Sequence, residues 1–169
     1  MKSKLSNKGY VIKKDQYNSS ELKKIQKELN VSPYSPYNNP MCPPVKYPVY
    51  LESVSKLYLP RWWGLENLGQ PEKFDINPGF DININFKGTL RPVQKEAKDA
   101  FMKNCYPEYG GGILCLGCGL GKTALSLYII SQLKKKALVI VHKEFLMNQW
   151  IDRIGSFLPG TEVGIIQAK

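Results

Sequence analysis

The stretch Gly111-Gly112-Ile113-Leu114-Cys115-Leu116-Gly117-Cys118-Gly119-Leu120-Gly121-Lys122-Thr123 constrains this chain more than any other. Ile113 to Leu116 is an apolar run long enough for one buried strand. A glycine-rich turn follows, and an apolar helical pattern begins at once. Strand, glycine loop and helix in that order form the context in which Gly-Lys-Thr cradles a phosphate. The glycines let the backbone curl so that successive N–H groups point inward at an anion. The first turn of the helix adds its partial positive charge. Lys122 would reach the β- and γ-phosphates of a nucleotide, and Thr123 would offer its hydroxyl to Mg²⁺. The strict spacing asks for a glycine five residues before Gly121, and Leu116 stands there. The competing reading is an ordinary glycine-rich turn with a chance lysine.

Charge narrows the partners. The 169 residues carry 24 Lys and Arg against 14 Asp and Glu, a net charge of +10. That balance favours an acidic partner, with nucleic acid the first candidate, although excess lysine also serves as plain solvation. Hydrophobic residues make up 43%, which suits a globular protein of one domain, or of a small domain plus part of another. No apolar run approaches the roughly 18–20 residues of a membrane span, and the basic Met1-Lys2-Ser3-Lys4 is followed by no secretory apolar core. Cys42, Cys105, Cys115 and Cys118 do not form a disulfide framework. The chain is therefore expected in a reducing intracellular compartment, not secreted and not membrane-bound. Cys115 and Cys118 make a C-x-x-C, but no second pair accompanies it and His142 is the single histidine, so zinc is disfavoured.

Four segments are expected along the chain. Residues 1–32 form a basic N-terminal segment with a short helix, capped by Asn18 with Glu21 three residues on. Leu22, Ile25 and Leu29 share its apolar face, and Lys23, Lys24 and Lys27 occupy the other. Six prolines between 33 and 48 predict an extended connector. Residues 49–88 form a small β-containing module. In it Arg61-Trp62-Trp63 either pack a small core or stack on bases. Phe80 to Phe86 alternates apolar and polar, as a half-buried strand does. Residues 89–169 begin an α/β domain. Thr89 is a candidate cap, and Pro92 stands in the first turn of a helix with Val93, Ala97, Ala100 and Phe101 on its apolar stripe. Strands are expected at 113–116, 137–141 and 163–166, with helices at about 122–134 and 144–157. That alternation predicts an open, mostly parallel sheet with flanking helices. Gln94 is either a surface glutamine or, because an amide donates and accepts at once, a reader of adenine.

Taken together, these stretches resemble a known family. Leu90-Arg91-Pro92-Val93-Gln94 resembles a Q motif. Leu116 to Thr123 resembles motif I, in the form Gly119-Leu120-Gly121-Lys122-Thr123 that superfamily 2 helicases use without the first glycine. Val139 to Trp150, with its terminal Gln149-Trp150, resembles motif Ia. The order and spacing are those of the first RecA-like domain of superfamily 2 helicases, in the branch of the transcription factor IIH helicase subunit and the poxvirus transcript-release helicase. Giant-virus members are the most similar, and Tyr50 to Glu66 is similar to their N-terminal region. The resemblance implies the start of a RecA-like P-loop domain, an incomplete parallel sheet, behind a small β-containing module. It implies ATP and Mg²⁺ as cofactors, held by Gln94, Gly117, Cys118, Gly119, Leu120, Gly121, Lys122 and Thr123, with Thr123 on the metal. It implies nucleic-acid backbone contact by His142, Lys143 and Gln149, with DNA favoured over RNA, and service in viral transcription or DNA processing, in a virus factory or virion.

The catalytic half is not in this sequence. A Walker B carboxylate pair holds Mg²⁺ and orients the attacking water. After Lys122 the acids are Glu144, Asp152 and Glu162, and no Asp-Glu pair occurs among them. The arginine finger and a second RecA-like domain are absent too, so no catalytic residue is assigned. The expectation is the N-terminal portion of an ATP-dependent helicase or translocase, completed by the rest of the helicase or a complementing chain. The alternative is a non-catalytic nucleotide- or nucleic-acid-binding module.

Overall fold

Ser6-Asn7-Lys8-Gly9 turns the chain through a tight hairpin. Gly9 makes it possible, with φ at 98° and its Cα so close to the Leu59 carbonyl that a Cβ would collide with it. Strands β1 (Ser3–Ser6) and β2 (Gly9–Lys13) pair antiparallel through this turn. The computed structural model describes residues 3–34, 44–105 and 111–167, and it divides into two units, Met1–Pro78 and Gly79–Lys169.

In the first unit the hairpin is the middle of a five-stranded sheet. With β5 (Leu51–Glu52), β6 (Lys56–Leu59) and β7 (Lys73–Asp75) the order is β5-β6-β2-β1-β7. Every pairing is antiparallel except that of β1 with β7. Period-two alternation puts Leu5, Tyr10, Ile12, Leu57 and Leu59 on one face, all buried. Two helices cover that face. The first, α1 (Ser19–Glu28), starts at a complete capping box. Glu21 N–H donates to Asn18 Oδ1 at 2.9 Å, and Asn18 N–H donates to Glu21 Oε2 at 2.8 Å. Its Ile25, with Leu29 just beyond, enters the core. The second, α2 (Arg61–Leu68), brings Gly64 against the Tyr10 ring. Trp63 packs beside the core and its indole N–H donates to Glu28 at 2.9 Å, while Trp62 is half exposed. At the sheet edges Lys14 and Gln26 hold Glu52. Lys4 holds Asp75 at 2.7 Å, which keeps that carboxyl below its usual range. A short pair, β3 (Asn30–Val31) with β4 (Tyr47–Pro48), lies apart from this sheet.

The grouping differs from the sequence expectation in two ways. Residues 1–32 are not a separate basic segment, because β1, β2 and α1 supply the centre of the sheet and much of its core. Arg61 to Leu68 is helical, although the aromatic run around it reads as short strands. Pro60 just before the first turn sets the entry, since a proline missing its N–H fits there without loss. Most of the proline-rich connector expected at 33–48 lies outside the described residues, as does Cys42.

The second unit is built around one helix. α4 (Lys122–Leu133) is apolar nearly all round, as a helix buried on more than one side must be. Leu127 packs with Ile84 and Leu158, and Leu125 and Ile129 pack with Leu90. α3 (Pro92–Cys105) contributes Ala97 and Phe101 on one side, and α5 (Glu144–Phe157) contributes Trp150, Ile154 and Phe157 on the other. Phe86 stacks on Phe157 with centroids 5.2 Å apart and meets Tyr128 edge-on. The alternation reads the burial correctly from Ile82 to Phe86, since Ile82, Ile84 and Phe86 face this core, but Phe80, expected on the same face, is exposed. It misreads the pairing. Among the described residues the segment makes a single bridge, Asp81 to Lys135, with an ion pair between the same side chains.

Among the described residues the expected parallel sheet is not formed. Residues 113–116, 137–141 and 163–166 carry no strand pairing among the described residues, and Ile113, Leu138, Ile140 and Ile166 are exposed. A parallel strand is stable only with ladder partners beside it and helices on both faces. Here each stretch lacks the first of these. The ladder that exists belongs to the first unit and is mostly antiparallel.

Gly64 tests the packing of the first unit. A Cβ there would lie 2.7 Å from Cδ2 of the buried Tyr10 side chain and closer still to its Cβ and Cγ. Gly64→Ala should therefore destabilise by roughly 1–3 kcal/mol, the usual loss on overpacking. Urea unfolding monitored by tryptophan fluorescence reads this, and an unchanged midpoint would mean that α2 and β2 pack more loosely than this geometry requires.

Candidate nucleotide site

The glycine loop is held from one side by the start of α3. Arg91 precedes the helix, Pro92 is its first residue and Gln94 its third. The Gln94 side chain reaches back so that Oε1 accepts from Arg91 N–H at 2.9 Å, half of a capping box. Its Nε2 donates to the carbonyls of Leu120 at 3.0 Å and Gly121 at 3.2 Å. Gln94 is only 4% exposed, so the amide is buried with both of its N–H groups used. Arg91 adds a longer contact from Nη1 to the Gly119 carbonyl at 3.4 Å. The sequence alone does not single out Arg91 as a loop contact. The one signal is its place next to Pro92, which puts it at the helix start.

The loop itself needs its glycines. Gly119 and Gly121 adopt φ of 75° and 76°, in the left-handed region that residues with a Cβ avoid. At Gly121 a Cβ would also overlap the Gln94 amide nitrogen. Gly121 caps α4, and no side chain accepts from the first turn of that helix. The N–H groups there are thus available to an anion. Lys122 turns its ammonium back onto the loop, donating to the carbonyls of Leu116 at 3.0 Å and Gly117 at 3.1 Å. Gly117, Cys118, Gly119 and Lys122 are exposed or nearly so, and Leu120, Gly121 and Thr123 are closer to the interior. The donor set fits a phosphate chain with its metal: uncapped helix N–H groups, a mobile ammonium and a hydroxyl one residue on. Cys115 and Cys118 are both exposed free thiols, and no cluster of metal-ligating side chains occurs among the described residues.

The motif Ia residues stand at the start of another helix. Lys143 precedes α5 without a side-chain cap, and His142, Lys143 and Gln149 are exposed. His142 and Lys143 also line the rim of a groove of about 1120 Å³. That groove runs between residues 137–141, 161–167 and the apolar side of α5, and the glycine loop is not part of it. Its walls are the stretches that lack ladder partners, so its size reflects unpaired strand segments, and the chemistry is concentrated at the loop.

Gln94 makes the loop's support testable. In Gln94→Glu the carboxylate can still accept from Arg91, but it faces the Leu120 and Gly121 carbonyls with nothing to donate. A loss of roughly 1–3 kcal/mol is expected from the unmatched buried groups. Amide hydrogen exchange at residues 119–123 should accelerate more than at α5. Equal exchange in the two chains would show that the amide does not hold the loop.

Comparison with known proteins bears on the family. Residues 87–169 match the family model described as type III restriction enzyme, res subunit. The whole chain is 36% identical to a candidate ATP-dependent RNA helicase of Acanthamoeba polyphaga mimivirus, covering 33% of that protein. Over 70 residues, 41% of the chain and 14% of the relative, it is 40% identical to a candidate ATP-dependent RNA helicase of African swine fever virus. It is 37% identical over 75 residues to a DNA 3'-5' translocase of Sulfurisphaera tokodaii, covering 44% of the chain and 16% of that protein. The chain thus spans a third or less of the length of these relatives. None of the described helices is long and apolar enough to cross a membrane. Over residues 87–169 the chain belongs with the superfamily 2 helicases, in the sequence type carried by giant viruses and their relatives, and what it matches is the N-terminal part of those proteins.

Proposed function

We propose that this chain binds ATP with Mg²⁺ at residues 117–123 and serves as the N-terminal portion of an ATP-dependent nucleic-acid helicase or translocase, in viral transcription or DNA processing. The observation that carries the reading is the uncapped N-terminus of α4, reached by a loop with two left-handed glycines and followed by the Lys122 ammonium. Phosphate oxygens would take the first-turn N–H groups of α4, and Lys122 would leave the Leu116 and Gly117 carbonyls to meet them. Thr123 would hold the Mg²⁺, which when bound neutralises charge on the phosphates. Gln94 would read adenine only by releasing one of its loop contacts, so base recognition and loop geometry would be linked.

Exposed His142, Lys143 and Gln149 support contact with a nucleic-acid backbone, which positions the strand without reading its sequence. Relatives named as RNA helicases and one named as a DNA translocase stand on both sides of the substrate question. The strand chemistry of 113–116, 137–141 and 163–166 supports their joining a RecA-like parallel sheet when ladder partners are supplied by further chain. Hydrolysis would need a carboxylate pair that the 169 residues do not contain. A second reading, a non-catalytic binding module, is favoured by one observation: Lys122 is already satisfied by the loop's own carbonyls.

Titration of a fluorescent ATP analogue separates the two. Lys122→Ala should weaken binding by about 10- to 100-fold, through loss of its charge-assisted hydrogen bonds to phosphate. Identical affinity in the variant and the parent chain would sink the ATP reading and leave the binding module.

A further inference from the structure

The sheet of the first unit has a second face, opposite the one on which α1 and α2 pack; Val11 at its middle is buried, Lys4, Lys56 and Tyr58 are partly exposed and Lys13 is exposed. Alternation and register fix its residues. β1 presents Lys4, β2 presents Val11 and Lys13, β6 presents Lys56 and Tyr58, and β7 presents Lys73 and Asp75. Across the strands these make a row Lys73, Lys4, Val11, Tyr58 and then Leu51 of β5. Next to it Lys13 lies directly opposite Lys56.

Two like-charged pairs therefore face each other on one side of one sheet. Directly opposed residues on neighbouring strands have Cβ atoms about 5 Å apart, and like charges there are destabilising. The Lys4–Lys73 pair is relieved by Asp75, which bonds Lys4 at 2.7 Å. Lys13 and Lys56 have no carboxylate partner among the described residues. A fold that sets two ammonium groups side by side, with no internal counter-charge, is suited to an external anion. Tyr58 adds the second element. It is half-buried between Val11 and Leu51, with the Lys8 ammonium 5.6 Å from its ring centroid. A partly exposed ring that already holds a cation over its face can take a base when the flexible Lys8 side chain swings to a phosphate beside Lys13 and Lys56.

We propose that this open face, centred on Lys13, Lys56 and Tyr58, is a docking surface for a single strand of nucleic acid. It is additional to the contact proposed for residues 142–149. The occupant follows from charge complementarity with the lysines and from the ring, because the bases of a duplex are not open for stacking. The inference shares with the proposed function only the class of ligand, and it needs neither ATP nor Lys143.

The test uses the full chain and a labelled oligothymidylate, followed by fluorescence anisotropy across a salt series. Lys13→Gln with Lys56→Gln should flatten the slope of log affinity against log salt by about 1.4, because each single-strand phosphate that a lysine ceases to neutralise removes about 0.7. Tyr58→Leu should weaken binding about tenfold with little change in slope, as removal of one stacked base does. Lys13→Glu alone should melt at a higher temperature, since it turns a repulsive cross-strand pair into an attractive one, and yet bind the oligonucleotide more weakly. A merely structural role would not move the two readouts in opposite directions. Lys143→Ala in the same assay reports on the other loop, so failure of one surface is distinguishable from failure of the other. The proposal is overturned if the double glutamine variant keeps the parental affinity and salt slope. It is equally overturned if that variant loses binding to vesicles of anionic lipid while oligonucleotide binding stays intact.

Discussion

Three hydrogen bonds from one buried amide set the geometry on which the second unit's chemistry depends. Gln94 joins the backbone start of α3 to the carbonyls of Leu120 and Gly121, and so fixes where α4 begins. An amide alone does this, because it accepts on one side and donates twice on the other. The arrangement also accounts for the glycine at 121. That residue must be left-handed, and it must leave room for the Gln94 nitrogen. The helix start and the loop are thereby one object, and the uncapped first turn of α4 is oriented by a side chain 27 positions earlier than Gly121 in the sequence.

α4 carries that geometry into the core. It is buried on two sides, against Leu90 through Leu125 and Ile129 and against Ile84 and Leu158 through Leu127. The loop at its N-terminus is therefore mounted on the most deeply packed helix of its unit. Residues 142–143 sit at the N-terminus of α5, whose apolar stripe packs on the same core. Both exposed candidate sites of this unit are thus helix N-termini held by one hydrophobic cluster or its neighbour.

The first unit solves a different problem. Its sheet closes by pairing β1 with β7, some seventy residues on, so the N-terminal lysine-rich stretch becomes the centre of a folded body. Burial of Tyr10, Ile12, Leu57 and Leu59 under α1 and α2 fixes the register. Register in turn decides which residues remain on the open face, since side chains alternate strictly along a strand. The lysines that read as simple solvation along the sequence are brought into opposition only by that pairing.

Much of this is legible from sequence. The Asn18–Glu21 capping box, the helix at 144–157, the helix after the glycine loop and the inward face from Ile82 to Phe86 depend on local spacing, which a linear pattern records. The glycine turn and the helix start at Lys122 are legible for the same reason, because Gly-Lys-Thr after an apolar run is a local arrangement. Local pattern does not tell that Arg61 to Leu68 is a helix, since aromatic residues serve strands and helices alike, nor that 113–116, 137–141 and 163–166 have no ladder partner among the described residues. Strand pairing is a long-range event whose partners a sequence does not name. The sequence by itself thus determined the helices α1, α3, α4 and α5, the glycine loop and the family to which residues 87–169 belong. Tertiary structure alone decided that Gln94 locks the loop and that lysines from distant strands share a face, because both depend on which remote backbone comes within hydrogen-bonding reach.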